Sequence, residues 1–220
     1  MNLEIISGTM AKKADLYAMH VLHLHSLDLM QCASETVYSY IKDTYAPRTV
    51  LIVCGVGNNG ADGVCIGRIF LQHGVRPAVT VCGDLRKASW EFLYQLAEYR
   101  RMDGQVLYYA TGMPLPEADV LVDAVFGIGL KRPVEGLYRA FIEAAETADR
   151  KHTVSVDIPS GVDADTGERM GCAIHADATV TFGRNKTGLV QGQGPEYAGD
   201  VIIRDIGIPD SVYSRIKSVD

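Results

Sequence analysis

Short apolar runs rich in β-branched residues alternate along the chain with longer segments whose apolar residues recur at helical spacing. Such runs are typical of strands that are buried on both faces of a sheet, whereas the helical period is typical of amphipathic helices. The predicted strands lie within residues 49–55, 77–83, 105–109, 119–127, 152–161, 178–183 and 200–209. Strands that alternate with helices predict a parallel sheet with helices on both of its faces.

The helical segments complete this picture. The first covers about residues 9–45, which contain neither proline nor glycine, and the next follows a glycine-rich loop and ends near His73. Two more are predicted within residues 87–104 and 134–150. Because no linker or repeat interrupts the order, we expect residues 1–220 to form one domain, with the N-terminal helical segment packed against the sheet.

Composition and charge narrow the class of protein. The 220 residues carry a formal net charge of −6 and a pI near 5.5, which argues against a protein that coats nucleic acid or an anionic membrane. The five cysteines are scattered and form no C-x-x-C pair, so we expect reduced thiols and a cytoplasmic location. No apolar run approaches the ~20 residues that a membrane helix needs.

The loop CGVGNNGADG, residues 54–63, matches the dinucleotide-binding pattern through Gly55, Gly57 and Gly60. It also places asparagines and an aspartate where a pyrophosphate would contact bare backbone amides. The loop could therefore hold a nicotinamide cofactor, or it could have a different role despite the similar sequence.

Three carboxylates are predicted at the ligand-binding edge of the sheet. Asp62 follows the first strand, whereas Asp123 and Asp157 end later apolar runs. One such aspartate often only caps a turn, but three at one edge favour a functional role. Together with Asn59 and Ser160 they offer hard oxygen ligands, which suit an alkali or alkaline-earth ion.

Two basic segments are candidates for contacts with phosphate. The loop FGIGLKRP, residues 126–133, adds two glycines with Lys131 and Arg132, and TFGRNKTG, residues 181–188, carries Arg184 and Lys186. Basic loops are common, so either segment could equally be a solvated loop.

Four motifs occur in order: GVGNNGADG, VDAVFGIGLKRPVEG, VDIPSGVDADTGE and TFGRNKTGLVQGQGPEYAGDVIIRDIGIP. Together they resemble the NAD(P)H-hydrate epimerase family (the YjeF N-terminal domain) over about residues 9–210. The resemblance implies an α/β fold, a Rossmann-like three-layer αβα sandwich with a mostly parallel central sheet, here as a stand-alone epimerase module. It implies interconversion of the R and S forms of hydrated NADH and NADPH (NADHX and NADPHX) in nicotinamide nucleotide repair, by acid/base chemistry at C6 of the nicotinamide ring.

The resemblance also implies roles for individual residues. Asp157 is expected to be the general base, with Lys131 as the partner acid or electrostatic stabiliser. A potassium ion (K+) is expected on Asn59, Asp123 and Ser160, in agreement with the oxygen ligands identified above. Substrate contacts are expected on Asn58, Asn59, Gly60, Ala61, Asp62, Gly127, Ile128, Gly129, Leu130, Lys131, Arg132, Pro133 and Asp157.

The partners implied by the resemblance are NADHX or NADPHX as substrate, a second copy in a homodimer, and a separate ATP- or ADP-dependent dehydratase. Neither nucleic acid nor a membrane is expected. The chain departs from the family pattern at Ala61, which replaces the second of two paired glycines in the first loop, and at residues 30–34. These read MQCAS where the family has Met-Glu-Asn-Ala-Gly. Ala61 would be strained at positive φ but harmless inside a helix.

Two other functions stay open at this point. The same domain can serve as a non-catalytic nucleotide- or RNA-binding dimerisation module. A nicotinamide-dependent dehydrogenase would bind its cofactor on the Gly55–Gly60 loop, with Asp84 as the only acid placed to hold a ribose.

Overall fold

The computed structural model describes residues 5–217, which build a seven-stranded sheet in which all neighbouring strands run parallel. In chain order the strands are β1 (Ile5–Ile6), β2 (Val50–Cys54), β3 (Ala78–Val81), β4 (Val106–Tyr108), β5 (Ala118–Ala124), β6 (Arg150–Val156), β7 (Ala178–Phe182), β8 (Asn185–Lys186) and β9 (Asp200–Arg204). The large sheet has the order β4-β3-β2-β5-β6-β7-β9, and β1 pairs with β8 in a separate ribbon. The prediction of a mostly parallel sheet is confirmed.

Helices connect these strands. They are α1 (Gly8–His20), α2 (Ser26–Tyr45), α3 (Asn58–Gln72), α4 (Trp90–Arg101), α5 (Gly136–Thr147), α6 (Thr187–Val190), α7 (Gly194–Ala198) and α8 (Asp210–Lys217). Serine hydroxyls cap two helices, since Ser7 accepts from Met10 N and Ser89 accepts from Phe92 N. No helix within residues 5–217 is long and apolar enough to cross a membrane.

The sheet is buried on both faces, which explains its β-branched composition. Along β2, Ile52 and Cys54 pack with α2, α3 and α4, whereas Leu51 and Val53 pack with α5 on the opposite face. Alternate side chains of a strand point to opposite faces, so a strand between two helical layers needs apolar residues at every position. The three-layer αβα arrangement is therefore confirmed.

The strand order reverses between β2 and β5. The chain first builds β2, β3 and β4 in one direction and then returns to place β5 on the other side of β2. In open parallel sheets a crevice forms at this reversal, beyond the carboxyl ends of the two strands, and ligands bind there. The loops after β2 and β5 therefore define the place where a site is expected.

The N-terminal segment, predicted to be helical over about residues 9–45, consists of two helices. It divides into α1 and α2, because α1 ends at His20 and His23 adopts a left-handed backbone conformation with φ of 57°. α1 then packs against α8, a helix that the sequence pattern did not reveal, through small residues that include Ala11, Ala14 and Ala18. One side of α1 is thereby left to face the crevice.

Candidate active site

The glycine-rich loop after β2 is packed tightly against neighbouring backbone. A Cβ atom on Gly55 would overlap the carbonyl oxygen of Val125, and one on Gly60 would overlap that of Gly55. Neither glycine has a positive φ, so space and not conformation requires glycine here. These two glycines allow β2, the loop after β5 and the start of α3 to approach one another closely.

The loop leads directly into α3, whose first turn borders the crevice. Gly57 is the N-cap and Asn58 the first helical residue, so the unpaired amides of the first turn lie where an anionic group can bind. Ala61 is buried inside this helix, its N–H donates to Gly57 O at 3.0 Å, and its φ is not positive. Alanine at this departure from the family pattern is therefore compatible with the backbone.

Asp123 is the centre of a buried hydrogen-bond network that we call the Asp123–Ser160 network. Its Oδ1 accepts from Ser160 Oγ at 2.5 Å and from Val125 N at 3.3 Å. Its Oδ2 accepts from Ser155 Oγ and from Ser160 N, both at 2.8 Å. Burial raises the pKa of Asp123, and hydrogen bonds from Ser160, Ser155 and Val125 oppose that effect. The network ties the end of β5 to the loop after β6.

Asn59 lies against the same loop. The amide nitrogen of its side chain is buried without a partner among the described residues, beside Gly127. Turning the amide over exchanges its nitrogen and oxygen, so an oxygen can occupy this position. Ser160 Oγ also accepts from Phe126 N at 2.8 Å, so Asn59, Ser160 and Asp123 all converge on residues 123–127.

This donor set fits a hard monovalent cation better than a transition metal. Its atoms are carboxylate, hydroxyl, amide and backbone carbonyl oxygens, which are the ligands that hard cations prefer. Residues 5–217 contain no group of three or more His, Cys, Asp or Glu side chains arranged to hold a metal ion.

Asp157 follows β6 and is held from one side only. Its backbone has a positive φ of 66°, and its N–H donates to Val180 O at 2.8 Å. Oδ1 accepts from Lys186 Nζ at 2.5 Å, from Thr181 Oγ1 at 3.0 Å and from Phe182 N at 3.4 Å. No described residue donates a hydrogen bond to Oδ2. This oxygen can therefore accept a proton from a ligand in the crevice.

Lys186 is the functional residue that sequence reasoning left undecided between a solvated loop and a phosphate contact. Its side chain is only 3% exposed, and Nζ donates to Asp157, to Thr181 Oγ1 at 2.9 Å and to Phe182 O at 2.8 Å. A buried ammonium needs such partners because its desolvation is costly. The pairing with Asp157 depends on β7 lying beside β6, which local sequence does not reveal.

A cavity of about 530 Å³ opens at the reversal of the strand order. α1, α2, the loops after β2 and β5, and residues near the C-terminus form its walls. The polar side chains among its lining residues are Lys12, Asp15, Ser26, Asn58, Asn59, Asp62, Glu91, Tyr138, Asp157, Lys186 and Tyr213. A volume of this size lies within the range of small-molecule sites.

Acidic groups in the cavity influence one another. Burial raises the pKa of Asp62 well above its ordinary value, and the charges of Asp157, Asp15 and Glu91 add to the effect. Burial also raises the pKa of Asp15 to about 6, with a further increase from Asp157 and an opposing effect from Lys186. Carboxyls whose pKa is raised toward neutral pH are candidates for proton transfer.

The second loop is divided between cavity and surface. Gly127, Ile128, Gly129 and Leu130 line the cavity, whereas Arg132 and Pro133 are exposed and do not belong to its lining. Lys131 is also outside the lining, and its Nζ pairs with Asp165 Oδ2 at 2.9 Å. The role of Lys131 as partner acid stays a prediction, while the ammonium that contacts Asp157 belongs to Lys186.

The departure at residues 30–34 lies beside the site, as the resemblance implies. Met30 and Ala33 line the cavity, and Ser34 Oγ donates to the backbone oxygen of Asp62 at 3.3 Å. Gln31 turns away, because its amide nitrogen donates to Glu35 at 2.9 Å and its oxygen accepts from Cys65 Sγ. The helix lies against the site, although three of its residues, Gln31, Cys32 and Ser34, differ from the family pattern.

Fold and site together define a Rossmann-like α/β protein with a ligand cavity at the switch point of its parallel sheet. Residues 26–188 match the family described as YjeF-related protein N-terminus, and the chain belongs to that family.

Relatives cover almost the whole chain. A protein of Limosilactobacillus fermentum named NAD(P)H-hydrate epimerase is 39% identical over 208 residues, which are 93% of this chain and 98% of that protein. A protein of Leuconostoc citreum with the same name is 34% identical over 94% of this chain and 91% of its own. The crystal structure of yeast ynu0 superposes with a TM-score of 0.79 at 20% identity, over 97% of this chain and 93% of that one, and supports the fold.

Proposed function

We propose that this protein is an NAD(P)H-hydrate epimerase, an isomerase that interconverts the R and S forms of NADHX and NADPHX. The single observation that carries the proposal is that Asp157 Oδ2, which accepts no hydrogen bond from a described residue, lies at the cavity. The cavity also borders the N-terminus of α3. Relatives of the chain are named NAD(P)H-hydrate epimerase. The carboxylate offers a base to a reacting group, and the helix N-terminus offers amides to the phosphates of a dinucleotide.

The substrate is held by the two loops at the switch point. The first turn of α3 supplies unpaired amides beside Asn58 and Asn59, and residues 127–130 form the facing wall. In this proposal the dinucleotide is the substrate and not a redox partner.

The acidic residue that a dehydrogenase would use for the ribose is already engaged. Asp84 accepts hydrogen bonds from the guanidinium and the backbone N–H of Arg86, and it does not belong to the cavity lining. The dehydrogenase alternative therefore has no support at this residue.

Epimerisation at C6 requires the carbinolamine to open and to close again on the other face. Asp157 takes the hydroxyl proton, C6 becomes a carbonyl carbon, and the C6–N1 bond breaks while a general acid of the cavity gives a proton to N1. Lys186 fixes Asp157 from the side opposite to the free oxygen, so the base is oriented before substrate binds.

A potassium ion on Asn59, Asp123 and Ser160 belongs to this proposal. When bound, it would supply a fixed positive charge beside the loop after β5, which helps to position an anionic substrate. A homodimer, functional pairing with a separate dehydratase and a cytoplasmic location complete the proposal.

The test follows the exchange of separated R and S epimers of NADHX by chromatography. Wild type is expected to accelerate exchange above the background without protein, and Asp157→Asn to lose that acceleration by about 10²–10⁴-fold. Asparagine tolerates the left-handed backbone at this position, so the fold is expected to survive. Asp43→Asn, on an exposed face of α2, is the matched control.

Exchange at the wild-type rate in Asp157→Asn contradicts the role of Asp157. No acceleration by the wild type contradicts the proposed function itself. If the chain instead binds RNA tightly in a salt-sensitive manner and leaves the epimers unchanged, it is the non-catalytic binding module.

A further inference from the structure

Asp15 is a carboxyl of the cavity that the site described so far does not use. It lies on α1 with Ala11, Lys12, Leu16 and Met19, which together form the side of the helix that lines the cavity. Ala14 and Ala18 of the same helix are buried in the cluster with α8. α1 thus presents one acidic side chain to the crevice, while its small residues pack against α8 on the opposite side.

The carboxyl of Asp15, like that of Asp62, differs from those of Asp123 and Asp157 in lacking hydrogen-bond partners among the described residues. No described residue donates a hydrogen bond to it, whereas Asp123 accepts four and Asp157 accepts three. The carboxyl of Asp15 is therefore available to form a hydrogen bond with a ligand in the cavity.

Asp15 also faces the pair that the proposed reaction uses. The charge of Asp157 raises the pKa of Asp15 beyond what burial alone does, and the charge of Lys186 lowers it, with a result of about 6. The negative charge of Asp157 favours the protonated form of Asp15. One of the two is then a base and the other a proton donor in the same cavity.

We propose that Asp15 is the proton donor that complements Asp157 in the epimerisation, an inference that rests on the proposed function. When the ring opens, Asp157 takes the proton of the C6 hydroxyl and the C6–N1 bond breaks. The Asp15 carboxyl gives its proton to N1, which leaves an aldehyde and an enamine. After rotation about the C5–C6 bond both proton transfers reverse, so that the ring closes on the other face and both side chains return to their initial states.

Other titratable groups line the same cavity as Asp15. Lys12 lies on the same face of α1, Asp62 lies across the cavity, and Tyr213 approaches from α8, where Asp15 in turn raises the pKa of the phenol. Together with Asp157 and Lys186, these are the charged and titratable groups to consider when the pH dependence of the rate is assigned to Asp15.

The experiment measures exchange of separated NADHX epimers from pH 5 to 9 for wild type, Asp15→Asn and Asp15→Glu, after subtraction of the background without protein. For wild type, kcat/KM is expected to fall as pH rises above about 6, because the donor loses its proton. For Asp15→Asn we expect a loss of about 10²–10⁴-fold and no decline on the alkaline side. Asp15→Glu is expected to restore part of the rate together with that decline.

Binding is measured separately with the equilibrated mixture of the two epimers, which shows no net reaction during calorimetry. A dissociation constant within about threefold of wild type, a difference of about 0.7 kcal/mol, is expected for Asp15→Asn. Asp43→Asn repeats the same chemical change on an exposed helical face and is expected to resemble wild type in both assays.

The outcomes separate the two proposals. If wild type does not accelerate exchange, the proposed function fails. If wild type does so and Asp15→Asn matches it, only the assignment of Asp15 fails. The assignment also fails if Asp15→Asn is slow but keeps the alkaline decline of wild type, since the titrating donor is then another group.

Discussion

Two aspartates at the ends of neighbouring strands have opposite environments. Asp123, at the end of β5, is completely buried and both of its carboxylate oxygens accept hydrogen bonds. Asp157, directly after β6, is held through Oδ1 alone and faces the cavity. A carboxylate whose two oxygens both accept hydrogen bonds from protein groups connects two loops, whereas one with a free oxygen can react. The same residue type at the same edge of the sheet thus performs structural or catalytic work according to its hydrogen-bond partners.

The largest effect in this comparison is expected from Asp123→Asn. The amide would direct two N–H donors toward Ser155, Ser160 and Val125, which themselves donate to Asp123, so buried donors would be left unpaired. We expect the free energy of unfolding to fall by about 2–4 kcal/mol, measured by urea denaturation. The exposed Asp43→Asn should change it by less than about 0.5 kcal/mol. A loss below about 1 kcal/mol for Asp123→Asn would show that the Asp123–Ser160 network does not stabilise the fold.

A smaller effect of opposite sign is expected for Asp15→Asn. Its folded-state pKa of about 6 exceeds the reference value of 3.8, so its contribution to stability is complete below about 3.8 and is lost as pH rises through about 6. At pH 7.5 the buried charge destabilises the protein, and asparagine removes it.

We expect Asp15→Asn to raise the free energy of unfolding by roughly 1–3 kcal/mol at pH 7.5 and to have little effect at pH 4. Denaturant titrations of both proteins at the two pH values measure this difference. An equal change at both values would mean that packing, and not ionisation, accounts for it.

The smallest effect is expected for Lys131→Met. Lys131 and Asp165 form an exposed pair whose side chains are 55% and 30% accessible, and such pairs contribute about 0–1 kcal/mol. If Asp15 is the proton donor, the exchange rate should change by less than about threefold, a difference of about 0.7 kcal/mol. The competing prediction that Lys131 is the partner acid requires a loss of at least about 10²-fold, so the same exchange assay decides between them.

Local pattern was sufficient for the sheet but not for all of the site. Strands such as β2 and β5 carry apolar residues at every position because both faces are buried, and this composition is visible in the sequence. Asp123 and Asp157 were recognisable because parallel strands bring their carboxyl ends to one edge.

The partners of these aspartates depend on tertiary structure. Lys186 lies 29 residues after Asp157 in the chain and reaches it only because β7 pairs with β6. Asp15 lines the cavity because α1 packs against α8. These two helices lie near opposite ends of the sequence. No periodicity or motif spacing encodes contacts of this kind, and Asp15 resembled any acid on an amphipathic helix.

The left-handed backbone of Asp157 has a consequence for protein engineering. A non-glycine residue with φ of 66° carries a conformational cost of about 1–2 kcal/mol, which glycine would avoid. A glycine chosen for this backbone would remove the carboxylate and leave the buried ammonium of Lys186 without its ion-pair partner. Libraries designed to stabilise this protein should leave residue 157 unchanged, because there the sequence best suited to the backbone is not the sequence suited to the chemistry.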